Sequence, residues 1–319
     1  MDKQGQGGFA RAIAMDLGTT SVLVAVRGRG ILLQEPSVVA VRPLREGVIS
    51  DCTVAEAMVR AFLHKAAPGR LLKPRLLVSV PSGISEVAER AVVEAGLQAG
   101  ARRVYLMEEP LAAALGAGID IAQPEGHMVV DIGGGTTDVA VAALGGVVAS
   151  TCLTTAGDQF DEALIQYVRQ THGLLIGART AEEVKCAIGQ VAGEGEETLA
   201  VKGRCLNTGL PREVTLSGKE TETAFAPVAQ TIVSAVQDVL ERTPPELAAD
   251  VAVSGILLTG GGSLLRGMDA LLAQETGMAT HLAEDPIRAV ALGLEATLPH
   301  LAKRQEGVLN LARRRQVEV

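Results

Sequence analysis

The sequence predicts an α/β protein made of two related halves, and three observations carry that expectation. Short apolar runs of strand length alternate with stretches of helical periodicity along the chain. Hydrophobic residues make up 47% of the 319 residues, aromatic ones only 2%, and there are 36 glycines, so the core must be aliphatic with glycine-lined contacts. That composition suits helices lying close against strands. A unit of apolar strand, Asp, Gly and Thr occurs twice, which suggests one plan used twice.

In chain order, strand-like runs fall at 12–15, 22–26, 37–41, 75–80, 103–107, 128–131, 139–143, 147–154, 198–201, 213–216 and 255–259. Helical periodicity marks 54–65, 85–99, 110–116, 159–171, 181–188, 225–242, 264–275 and 287–298. Asp158 is placed to cap its helix, Pro244-Pro245 to stop the long one, and Gly277 to close another. A polar stretch at 189–212, containing GEGEET, predicts a smaller subdomain.

Composition also excludes classes. A net charge of −8 and the scarcity of rings argue against a nucleic-acid partner. Cys52, Cys152, Cys186 and Cys205 show no zinc-ligand spacing and read as reduced cytosolic thiols. With no signal peptide and no membrane-spanning run, the sequence predicts a soluble, cytoplasmic protein. No phosphate-loop or dinucleotide fingerprint is present.

The chemistry concentrates in three glycine clusters. The first hairpin reads Met15-Asp16-Leu17-Gly18-Thr19-Thr20, and the second Asp131-Ile132-Gly133-Gly134-Gly135-Thr136-Thr137-Asp138. One copy alone is an ordinary tight turn. Two copies offer paired arrays of backbone N–H groups and hydroxyls fit for phosphate oxygens. Each also sets a strand-end carboxylate where it reaches the water shell of a Mg²⁺ ion. The third cluster, Gly260-Gly261-Gly262, follows an apolar strand and is expected to open a helix against a nucleotide.

In this order the clusters resemble the ATPase superfamily of actin, heat-shock chaperones and sugar kinases. Longer stretches, among them EEPLAAALGAG, MVVDIGGGTTDVAV, AGDQFDEALIQYVR and GILLTGGGSLLRGMDALLAQETG, are similar to the bacterial actin MreB and its close paralogues. The resemblance implies an actin-like ATPase fold, with two ribonuclease-H-like halves around a nucleotide cleft. Domain I would take 9–123 and 293–319, and domain II 124–292. Within domain II, subdomain IIA would take 124–159 and 224–292, and IIB about 160–223.

The resemblance also assigns roles. Asp16 and Asp131 would hold Mg²⁺ through water, while Gly18, Thr19, Thr20 and Gly133, Gly134, Gly135, Thr136 would cradle the phosphates of ATP. Glu109 would position or activate the attacking water. Its bottom-up reading, an acid at a helix N-terminus beside Pro110, holds alongside that role. Glu182, Glu183 and Lys185 fall on the adenosine-contacting helix, though each also reads as a solvated helix face. Gly260 to Gly262 would face the adenosine and α-phosphate. The implied activity is ATP hydrolysis serving polymer dynamics.

Two departures from the family stand out. The first turn runs Thr19-Thr20-Ser21-Val22 where MreB proteins show Thr-Ala-Asn-Thr, a change worth about 1 kcal/mol of side-chain hydrogen bonding. The segments EPSVVA and RPLREGVI are fused near 40–42, where the family inserts subdomain IB. The implied function is a cytoskeletal protein whose filaments line the inner face of the cell membrane and direct cell-wall synthesis and rod shape. Its partners would be itself, the membrane through Leu71 and Leu72, and the elongation machinery. The alternative prompted by the missing IB is a non-polymerising, nucleotide-switched paralogue that regulates full-length relatives. A metabolic kinase is disfavoured because Glu109 suits water activation.

Overall fold

A computed structural model of the chain describes residues 12–37, 51–66 and 73–302, with the backbone of 44–45 and 48–49. The first half is a five-stranded sheet. Strands β1 (Ala12–Leu17) and β2 (Ser21–Val26) form a hairpin, β3 (Gly30–Pro36) extends it to an edge, and β4 (Leu44–Arg45) with β5 (Val48–Ile49) makes a separate short ladder. Helix α1 (Cys52–Ala66) returns the chain to β6 (Arg75–Val80), and α2 (Glu86–Gln98) to β7 (Arg103–Glu108), both parallel to β1. The strand order is β3-β2-β1-β6-β7.

Helix α3 (Glu109–Gly116) crosses to the second half, where the plan repeats. Strands β8 (His127–Ile132), β9 (Thr137–Ala143) and β10 (Gly146–Leu153) form an antiparallel meander. Helix α4 (Gly157–His172) leads to a small three-stranded sheet, β11 (Leu174–Leu175), β12 (Thr198–Cys205) and β13 (Pro211–Ser217), with α5 (Ala178–Ile188) beside it. Helices α6 (Gly218–Arg242) and α7 (Pro245–Ser254) return to β14 (Ile256–Thr259), followed by α8 (Met268–Thr276), β15 (Thr280–Leu282) and α9 (Ala289–Thr297). The second sheet runs β10-β9-β8-β14-β15, the order of the first.

Central strands are buried on both faces, which is why they read as unbroken apolar runs rather than alternating ones. Helices α1 and α2 cover the outside of sheet one, and α4, α6 and α8 the outside of sheet two. Between the sheets lie α9, packed on sheet one, and α3, packed on sheet two. The two inner helices touch backbone to backbone: a Cβ on Gly116 would land on the carbonyl oxygen of Ala289, and one on Gly293 on that of Ala112.

The structure corrects several boundaries. The third strand is β3 at Gly30–Pro36, and residues 38–41 lie outside the described residues. Pro244-Pro245 ends α6 but also starts α7, because a proline at the first helical turn gives up a donor that has no partner there anyway. Asp158 sits inside the first turn of α4 rather than at its cap, where Ala156 stands; the Gln159 side chain accepts the Ala156 N–H at 3.0 Å. The Gly260–Gly262 cluster opens only a 3₁₀ turn, Gly261–Leu264. Gly267, at φ +76°, breaks the chain before α8 begins at Met268, so no α-helix dipole points from that cluster. Gly277 closes α8 in the left-handed conformation as expected.

Candidate functional site

Both hairpin turns open toward one cavity of about 420 Å³ between the halves. Asp16 is the penultimate residue of β1 and Asp131 that of β8, so duplicated topology delivers one carboxylate from each sheet. Each is held the same way. The Ser79 hydroxyl on β6 donates to Asp16 Oδ1 at 2.7 Å, and the Thr259 hydroxyl on β14 donates to Asp131 Oδ1 at 2.8 Å. Ser79 and Thr259 sit on the strands next to their aspartates in space, remote from them in sequence.

Burial pushes the Asp16 carboxyl up to about 7, further helped by the charge of Asp131, and pushes Asp131 to about 6. Glu109, at the start of α3, lines the same cavity; burial and then the charges of Asp138, Asp16 and Asp131 raise its pKa well above the ordinary value. The site therefore concentrates negative charge that only a cation or protons can balance. Among the described residues, no three carboxylate, imidazole or thiolate side chains converge to cage a metal directly. Two oxygen donors on opposite walls fit a hard ion that keeps its water shell, as Mg²⁺ does.

The glycines are shaped by the opposite wall as well as by any ligand. A Cβ on Gly134 would strike the Thr20 hydroxyl, and one on Gly135 would meet the Thr19 hydroxyl at 2.6 Å, so the two turns are in contact across the cleft. Gly260, at φ +81°, lies against the backbone of Ile132. Gly133 is fastened to its own turn by its N–H to the Thr136 carbonyl at 2.8 Å.

The structure brings Asp16, Gly18, Thr19, Thr20, Glu109, Asp131, Gly133, Gly134, Gly135, Thr136, Glu182, Lys185, Gly260, Gly261 and Gly262 to this cavity. Glu183 lies outside it: its carboxylate pairs with Arg179 at 3.0 Å on the exposed side of α5. Lys185 reaches the cavity already engaged, donating to the Gly157 carbonyl and to Asp161 Oδ2, each at 2.8 Å. Ser21 lines the cavity, while Val22 is buried in β2.

Sequence reasoning missed the N-terminus of α4. The Gly157 and Asp158 N–H groups bond to the Gly133 and Gly134 carbonyls at 3.0 and 2.7 Å, bracing the second turn from behind. It also missed the apolar wall of Phe160, Leu265, Ile287 and Val290. Leu71 and Leu72 lie outside the described residues.

The family model described as MreB/Mbl protein matches residues 10–42 and 38–306. The chain belongs to the MreB/Mbl family. It is 43% identical over 325 residues to the cell shape-determining protein Mbl of Bacillus subtilis, covering 92% of this chain and 98% of that protein. It is equally 43% identical over 328 residues to MreB of Escherichia coli, covering 92% and 94%. The fold is the actin-like one of solved family members. MreB5 of Spiroplasma citri bound to AMPPNP superposes with a TM-score of 0.89 at 32% identity, over 93% of this chain and 98% of that one. A MamK double helical filament shares the fold at a TM-score of 0.76 and 22% identity, over 93% and 100%.

Proposed function

We propose that this MreB/Mbl protein is an ATP-hydrolysing cytoskeletal protein of the bacterial cell, assembling into filaments at the inner face of the membrane that guide cell-wall synthesis and rod shape. One observation carries the catalytic part: two hairpin turns of the same plan, one from each half, face a single cavity with a raised-pKa carboxylate on each side. The bound analogue in MreB5 of Spiroplasma citri supports a nucleotide there.

In this reading the backbone amides of Gly18 to Thr20 and Gly134 to Thr136 hold the phosphates, the Gly133 N–H being taken by the Thr136 carbonyl, and Asp16 and Asp131 would hold the water shell of Mg²⁺, which would neutralise charge on the phosphates. Glu182, Lys185 and the 3₁₀ turn at Gly261–Leu264 line the adenosine end. Glu109 orients a water in line with the terminal phosphorus. As the new oxygen–phosphorus bond forms, the bond to the bridging oxygen breaks, leaving ADP and phosphate, and Glu109 takes the proton of the attacking water. Burial and the neighbouring carboxylates raise the Glu109 pKa, which makes its deprotonated form a stronger base than an ordinary carboxylate. Catalysis of this kind depends on positioning and electrostatics.

Self-association is supported by the family's cell-shape role and by the filament of the MamK fold relative. No helix among the described residues is long and apolar enough to cross a membrane, so attachment would be peripheral. The family match breaks into two pieces that overlap at 38–42, where this reading puts the loss of subdomain IB. That break is the observation favouring the second reading, a paralogue that binds nucleotide without polymerising.

One experiment separates the readings. Purified protein is sedimented with ATP and Mg²⁺ while phosphate release is followed, with and without anionic lipid. Pelleting with hydrolysis supports the filament, nucleotide binding in a persistent monomer supports the regulator, and absence of binding defeats both. Glu109→Ala should slow phosphate release and leave nucleotide affinity intact; unchanged turnover removes Glu109 from its role.

A further inference from the structure

Behind the cavity, a single residue ties the two halves together and holds the residue next to Glu109. Strand β6 ends at Val80 and the chain turns at Pro81-Ser82-Gly83, with Gly83 at φ +72°. The Ser82 N–H, buried where the strand has run out of ladder partners, donates to Asp138 Oδ1 at 2.6 Å. Asp138 belongs to the other half: it sits on β9, directly across from Asp131. Its second oxygen accepts the Cys152 thiol of β10 at 3.4 Å, so the carboxylate is fixed within its own sheet. The Ser82 hydroxyl in turn donates to Glu108 Oε2 at 3.1 Å. Glu108 is the last residue of β7 and immediately precedes Glu109. Ser82, Glu108 and Asp138 are all more than nine-tenths buried.

We propose that Ser82 is a positioning residue that couples closure of the two halves to the placement of Glu109. The inference rests on the reading of Glu109 as the group that orients the attacking water. The backbone N–H of Ser82 senses where the second sheet lies, and its hydroxyl passes that position to the β7–α3 junction. When the halves part, Asp138 withdraws from the Ser82 N–H, the turn relaxes, and the Glu108 carboxylate loses the hydroxyl that steadies the first residue of α3. When the halves close, both Ser82 bonds form and Glu109 faces the terminal phosphate. No side chain in this chain of contacts lines the cavity, so it acts on turnover rather than on nucleotide affinity. Displacements of about 1 Å at a reacting centre cost on the order of a hundredfold in rate, which makes such a relay effective.

The test uses the full chain with ATP and Mg²⁺, measuring single-turnover phosphate release and nucleotide affinity for Ser82→Ala, Asp138→Ala, the double variant, Asp138→Asn and Glu109→Gln. Ser82→Ala cuts the link to Glu108, and Asp138→Ala cuts the link between halves. Each is expected to lower the hydrolytic rate about tenfold while affinity changes by less than about twofold. The double variant should be no slower than the slower single one, because both cut one relay. Asp138→Asn removes, like Asp138→Ala, the charge that raises the Glu109 pKa but keeps an acceptor for the Ser82 N–H, so it should turn over at least about threefold faster than Asp138→Ala. The proposal is overturned by normal turnover in either alanine variant, by independent multiplication of the two effects, by an Asn variant as slow as the Ala one, or by affinity falling in step with rate. Normal turnover in Glu109→Gln defeats the reading of Glu109 itself, whatever the Ser82 variants do.

Discussion

At the scale of single residues, the site is a matched pair of aspartates whose ordinary ionisation burial opposes. If a cation balances them, nucleotide affinity should depend strongly on Mg²⁺ in the unaltered protein. In Asp131→Ala, binding titrations with and without EDTA should give nearly the same affinity; a persistent Mg²⁺ dependence would place the ion elsewhere. The Gly260 backbone sits at φ +81° against the Ile132 carbonyl. Gly260→Ala should therefore destabilise the fold by about 1–3 kcal/mol, read from urea unfolding. Legibility at this scale was uneven. Backbone-cradling glycines announce themselves because three in a row serve no ordinary turn. Ser79 and Thr259 do not, since a lone hydroxyl on a neighbouring strand carries no local signal. Glu182 and Glu183 are adjacent on a helix and so cannot face the same way, and only the fold tells which one meets the cavity.

At the scale of elements, the sequence located strands buried on both faces and amphipathic helices, because their periods are strong. It missed the edge strand β3, whose half-exposed Gly30–Pro36 is a weaker pattern than the apolar run beyond it. Duplication would have found it, since β10 occupies the same edge of the second sheet. It started α6 late, although the Ser217 and Glu220 side chains form a reciprocal capping box, with Glu220 Oε2 accepting the Ser217 N–H at 2.9 Å. Ser217→Ala should cost about 1 kcal/mol in unfolding free energy. The inner helix pair has no such tolerance. Gly293→Ala drives a methyl group into the Ala112 carbonyl, and forced separation of α3 and α9 should cost at least about 1–3 kcal/mol, seen as a lowered unfolding midpoint.

At the scale of the whole molecule, the buried acids predict an unusual pH profile. Asp16 and Asp138 are pushed up to about 7 and Asp131 to about 6, chiefly by burial, while the unfolded chain ionises near the ordinary carboxylate value. The folded protein thus binds more protons than the unfolded one across the interval between those values. Its stability should rise as pH falls from about 8 to about 5.5, and the gain is lost as pH climbs through the folded pKa values. Thermal melts of nucleotide-free protein should show a higher midpoint at about pH 6 than at about pH 8. ATP with Mg²⁺ should raise the midpoint more at the higher pH; an equal rise at both would dissociate the acids from the ligand.

Where α3 and α9 cross at Gly116 and Gly293, no side chain stands between them. The joint between the lobes is accordingly a bare rivet. A methyl group added at either glycine would wedge the lobes apart, so bare main chain sets how far the two sheets stand from each other, and with it the width of the crevice above.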